Sequence, residues 1–195
     1  MGTTSFAKVY NRFLGKITDD MYVELTPEDT IKDLRVLLID SIPGFEFPRK
    51  VLTDYTIETA IMEENEVKPD DFIIGVIWGE LPEDGEDPVP EVYVERSRFN
   101  VELSEEEINI LAILMMVAWL QRQVTSIENI RMKYSGSDFK FTSQANHLAK
   151  LLNLLEETHR QSHHMQRLYK RRKTDSSGNI TSTWSNFKGL GSLGN

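Results

Sequence analysis

The stretch INILAILMMVAWLQRQV, residues 108–124, constrains this chain more than any other. Wound as an α-helix, it is apolar on most of its circumference. Such a helix is the buried centre of a bundle or touches more than one partner. Its start is written just upstream. Ser104-Glu105-Glu106-Glu107 is a capping box, with Ser104 as N-cap and Glu107 reaching back to the Ser104 N–H. TSIENIRMKY (125–134) continues this helix or restarts one at Thr125 or Ser126.

Other helices follow from spacing and caps. SFAKVYNRFLGKI carries Phe6, Val9, Tyr10, Phe13 and Leu14 on one stripe, with Thr3 or Thr4 as the expected cap. Thr26 is an N-cap, Pro27 suits the first helical position, and Glu28 and Asp29 favour the dipole. That helix, over about 27–42, is expected to bury Ile31, Leu34, Leu38 and Ile42. A long last helix starts near Thr142 or Ser143 and buries Leu148, Leu151, Leu152 and Leu155. Its seam continues through Thr158, Ser162, Met165 and Tyr169, thinly apolar in the middle.

Between the helical parts lies β sequence. Residues 49–70 read weakly as a strand and a turn, and DFIIGVIWG (71–79) reads as a strand. VYVERSRFNVEL (92–103) alternates, with Tyr93, Glu95, Ser97 and Phe99 against Val92, Val94 and Arg96. ELPEDGEDPVPE (80–91) joins them with three prolines and six carboxylates, so it reads as a loop held in water or against something basic. Glu83, Asp84, Glu86 and Asp87 mark its tip. The expected fold is mainly α: an antiparallel helical bundle with an inserted β-hairpin and an extended C-terminal arm. N-terminal bundle helices occupy 1–70, the hairpin 71–103, the core helices 104–173 and the arm 174–195.

Net charge is −9, but unevenly spread. Residues 131–173 hold ten Lys/Arg, three Asp/Glu and all four histidines, whereas 1–130 hold eleven Lys/Arg and twenty-seven Asp/Glu. Such a dipolar chain suits head-to-tail self-association. Cysteine is absent, which removes disulfides, thiolate metal sites and cysteine nucleophiles together. No uninterrupted apolar run approaches about 18 residues, so no membrane span is expected. MGTTSFAKVYNRF lacks a signal pattern, and Phe6 stands where a myristoylation site wants Ser or Thr, so an unprocessed, soluble chain is expected.

The segment GLGSLG (189–194) fits G-x-G-x-x-G, yet a dinucleotide loop must open a helix, and only Asn195 follows. The segment 174–195 is rich in Ser, Thr, Gly and Asn but spaces Trp184, Phe187, Leu190 and Leu193 by threes. It reads as a partner-binding arm whose glycines allow close backbone approach. His159 and His163 stand one helical turn apart, with Glu156 one turn earlier, a spacing that can hold zinc if a fourth position is filled. A polar helix face is the plainer reading, and no metal or cofactor is expected. His147 near Ser143 lacks an orienting third group, and no carboxylate sits in an apolar segment, so no enzyme is expected. Lys170, Arg171, Arg172 and Lys173 sit where a helix dipole favours cations and could equally contact phosphate or another subunit.

The acidic helix start, the Leu/Met-rich helix with Trp119 and the segment KYSGSDFKFTSQANHL before a long last helix together resemble head–tail connector (neck adaptor) proteins of tailed bacteriophages. YNRFLGKI and IKDLRVLLIDSIPGF are similar to that family's opening helices. The resemblance spans about two-thirds of the chain. It implies a helical bundle whose copies form a ring under the portal, with DNA passing through without sequence-specific binding. It also implies that 174–195 grips the portal protein. SGSDFKF, with Gly136, Asp138, Phe139 and Phe141, would be the turn placing the last helix. The partners implied are further copies of the chain, the portal and a tail-side neck or stopper protein. The location implied is the virion neck, assembled in the host cytoplasm. The larger 71–103 insertion departs from that pattern. A metal-dependent enzyme on the histidine-rich helix and a DNA-binding protein using 167–173 remain the alternatives.

Overall fold

A computed structural model describes residues 2–17, 21–69, 71–77, 91–133, 141–174 and 180–181. The chain is mainly helical, with small antiparallel sheets. The helices are α1 (Phe6–Leu14), α2 (Met21–Glu24), α3 (Pro27–Ser41), α4 (Glu105–Lys133) and α5 (Phe141–Arg171). The strands are β1 (Thr4–Ser5), β2 (Tyr55–Thr56), β3 (Thr59–Glu63), β4 (Phe72–Ile77), β5 (Glu91–Glu95), β6 (Arg98–Phe99), β7 (Lys173–Thr174) and β8 (Ile180–Thr181).

The helix that is apolar all round lies where such a helix must. α4 runs unbroken through Thr125 and Ser126 and contacts α1, α3 and α5. Ile108, Ile110, Leu111, Ala112, Ile113, Met115 and Leu120 are all buried, although they point in every direction around its axis. By length and composition, Glu105–Asn129 could cross a membrane; in this fold its neighbours are helices. Its capping box forms as written. The Ser104 N–H donates to Glu107 Oε2 at 2.7 Å, and the Glu107 N–H donates to Ser104 Oγ at 3.3 Å.

α1 buries Phe6, Val9, Tyr10 and Phe13, the stripe that its spacing predicts. Its cap is Ser5, whose Oγ accepts from the Ala7 N–H at 3.2 Å, rather than Thr3 or Thr4. Thr4 is instead drawn into β1, where its Oγ1 accepts from the buried Leu103 N–H at 2.7 Å. α3 is capped by Thr26 with Pro27 in its first turn, and it buries Ile31, Leu34, Leu37 and Leu38, with Ile42 just beyond. On α5, Leu148 is buried and Leu151 and Leu155 are half-buried. Leu152, expected inside, is 43% exposed, because it lies on the flank of the seam through Leu151, Leu155 and Thr158.

The β region is more divided than its alternation predicts. One sheet has the order β3-β5-β4, so the β4–β5 pair gains a third strand from 59–63. A second has the order β1-β6-β2. Buried Ser97 is the point where the chain leaves one sheet for the other: its Oγ accepts from Glu58 N–H at 3.0 Å and its carbonyl accepts from Phe6 N–H at 2.9 Å. The break overrides a single strand over 92–103. Gly75 in β4 lies so close to Pro27 of α3 that a Cβ there would stand 2.5 Å from the proline Cγ. Glycine is therefore required for this sheet to lie on α3.

Beneath that contact is a buried ion pair. Glu95 is wholly buried, and Arg35 of α3 donates to its Oε2 at 2.6 Å, while the Ser97 N–H donates to Oε1 at 3.2 Å. Glu107, in the capping box of α4, is likewise buried. Each is tolerated because it is fully engaged by donors.

Candidate functional site

The sequence features that bear on function converge at the C-terminal end of α5. Of the predicted seam, Thr158, Ser162 and Tyr169 are buried and Met165 is half-buried, while Gln166, next to Met165, is buried as well. Polar side chains on a buried face need partners: Thr158 donates to the Leu154 carbonyl within the helix at 2.7 Å, whereas Gln166 and Tyr169 reach other elements. Gln166 Nε2 donates to the Gly44 carbonyl at 3.1 Å and to Ser162 Oγ at 3.2 Å, and its Oε1 accepts from the Glu46 N–H at 2.7 Å. One amide thus satisfies both a donor and an acceptor of the turn that follows α3.

Tyr169 carries the second set of contacts. Its hydroxyl donates to Glu107 Oε1 at 2.6 Å, joining the last turn of α5 to the capping box of α4. α4 and α5 are therefore antiparallel. Burial, and then the hydrogen bond to Glu107, push the Tyr169 phenol well above its ordinary value, so it stays a donor. Phe45 meets its ring edge-on at 5.5 Å, and the Arg49 guanidinium lies 4.3 Å from the ring centroid. Arg49 also donates to the carbonyls of Tyr169 and Arg172, the uncapped end of the helix.

The basic segment is partly consumed by this arrangement. Arg172 pairs with Glu106 at 2.7 Å, and the Lys170 ammonium lies 3.9 Å from the centre of the Phe47 ring. Arg171 is exposed at the last helical position. Lys173 enters β7, opposite Thr181 of β8. Thr174 likewise pairs antiparallel with Ile180 of β8.

The histidine pair lines a cleft of about 370 Å³ between the end of α3, α4 and α5, floored by Leu114, Val117 and Ala118. The rings of His159 and His163 stack 6.3 Å apart. The carboxylate beside them is Glu46, 3.2 Å from His163 Nδ1, and not the expected Glu156. Among the described residues, no group of three or more His, Asp or Glu is placed to hold a metal ion.

Trp184, Phe187, Leu190 and Leu193, the acidic tip of Glu83, Asp84, Glu86 and Asp87, and Gly136, Asp138 and Phe139 lie outside the described residues. Phe141 is the first residue of α5. The side chain of Ser143, the suggested neighbour of His147, is likewise outside them. Arg49, Gln166 and Glu46 were not anticipated. Only Gln166 left a trace in the sequence, by standing one turn after Ser162 on a seam already recognised.

No protein family, curated protein or solved structure matches this chain in the comparisons.

Proposed function

We propose that this chain is a structural virion protein, a head–tail connector whose copies form a ring that joins the portal to the tail and lets DNA pass. In this reading α1, α3, α4 and α5 are an antiparallel bundle, β4 and β5 are its inserted hairpin, and the residues beyond 174 are the portal-gripping arm. The observation that carries it is the fastening of the end of α5 to the start of α4 and to the 44–50 turn. That fastening gives the residues which follow a fixed base. The charge difference between the two parts of the chain suits the heterologous contacts of a closed ring.

The alternatives gain less support. For a metal-dependent enzyme, the described residues offer no group of three or more His, Asp or Glu placed to hold a metal ion. A DNA-binding role for 167–173 would compete with the Glu106 and Phe47 contacts of Arg172 and Lys170.

The test is co-assembly with a portal protein from the same genome, read by native mass spectrometry and negative-stain microscopy. Full-length protein should form a ring on the portal, and a chain ending at 173 should fold but fail to bind. A full-length chain that stays monomeric in the presence of portal sinks the proposal.

A further inference from the structure

A cleft of about 410 Å³ opens where the start of α1, the turn before β4 and the β5–β6 junction meet. Four cations line it, Lys8, Lys68, Arg96 and Arg98, against two carboxylates, Glu58 and Asp71. Both carboxylates are already taken. Arg96 holds Asp71 through Nε at 3.0 Å and Nη2 at 2.9 Å, and Arg98 Nη1 donates to Glu58 at 3.1 Å. Among the described residues, no carboxylate pairs with Lys8 or Lys68. Among the described residues, the lining therefore carries two formal positive charges in excess, within the strongly acidic part of the chain.

Several features concentrate this field. Asp71 fixes the Arg96 fork, so the guanidinium is oriented before anything binds. The first turn of α1 holds no acidic residue, and its Lys8 adds a cation where the helix dipole is already positive. The Phe6 and Ala7 N–H groups are spent on the Ser97 carbonyl and Ser5 Oγ, so side chains must supply the donors. Unneutralised cations gathered in a concavity repel one another, and a dianion relieves that repulsion.

We propose that this cleft binds a phosphomonoester group, with Lys8 and Lys68 neutralising its two charges beside the guanidinium of Arg98. The dianion matches the excess charge, whereas a phosphodiester supplies half of it. The cleft is larger than a lone phosphate fills, which leaves room for the group that carries the ester. This site stands apart from the α5 end and does not rest on the connector reading.

The experiment is a titration of the full chain with inorganic phosphate, at constant ionic strength set with sodium chloride, followed by amide chemical shifts. Saturable shifts are expected at Lys8, Lys68 and Arg98. Both lysines are exposed, so Lys8→Gln with Lys68→Gln should leave the thermal midpoint unchanged while weakening phosphate by about tenfold or more, as expected for losing two charge-assisted contacts. Dimethyl phosphate should bind more weakly than phosphate. Shifts that do not saturate, or that persist in the double variant, overturn the site, and a diester that binds as well as phosphate overturns the monoester assignment.

Discussion

The Tyr169 hydroxyl donates to Glu107 Oε1 at 2.6 Å, while the other oxygen of that carboxylate accepts from the Ser104 N–H at 2.7 Å and hydroxyl at 2.9 Å. One buried side chain thus caps α4 and receives α5. Tyr169→Phe leaves a buried carboxylate short of a donor, which costs about 1–3 kcal/mol. Tyr10 offers the contrast. It is equally buried, but its hydroxyl has no hydrogen-bond partner among the described residues, so Tyr10→Phe should be neutral or slightly stabilising. Urea unfolding of the two variants checks both, and equal losses would contradict the assignment.

Arg35 and Glu95 should behave as a unit. Arg35→Met strands a wholly buried carboxylate and is expected to cost about 3–5 kcal/mol. Replacing both, as Arg35→Met with Glu95→Leu, should cost less than the single change, because the uncompensated charge is gone. A double-mutant cycle measures this directly.

Gly75→Ala drives a methyl group to within 2.5 Å of the Pro27 Cγ, so either the sheet or the start of α3 must move. A loss of about 1–3 kcal/mol is expected, as for other overpacked sites. Pro27→Ala in the same chain should recover part of it by opening space, which thermal melts of the three proteins would reveal.

Acid should weaken the β region through Asp71. Burial is the largest single influence and works to raise that carboxyl, but the Arg96 hydrogen bonds, the Lys68 N–H and the charges of Arg96 and Lys68 together outweigh it, holding it below its ordinary value of 3.8. A carboxyl lowered on folding contributes stability that is present above the unfolded value and is lost as pH falls through the folded one. Stability should therefore decline below about pH 4, and Asp71→Asn should flatten that part of the profile while leaving the protein weaker at neutral pH.

Local chemistry was readable where neighbours in sequence decide the outcome. Thr26 with Pro27 and Ser104 with Glu107 are contacts within one turn, and the seam through Thr158, Ser162 and Tyr169 follows from helical spacing alone. What could not be read depends on distant partners. Arg35 reaches Glu95 sixty positions away, and Gln166 reaches the Gly44 carbonyl, pairings that no local window contains. The alternation over 92–103 also misled, because Ser97 diverts the chain into a second sheet whose other strands, 4–5 and 55–56, are too short to show periodicity. The candidate arm and acidic loop were legible as composition, and composition does not specify what a segment touches.

The attachments at the end of α5 also determine how the protein would bear tension. Arg49 holds two carbonyls there, Arg172 is tied to Glu106, Tyr169 to Glu107 and Lys170 to Phe47. A pull applied beyond residue 174 would load these ties side by side, rather than opening α5 from its tip one contact at a time. Force would enter the molecule both at the N-terminal turn of its central helix and at the segment around Phe47 and Arg49.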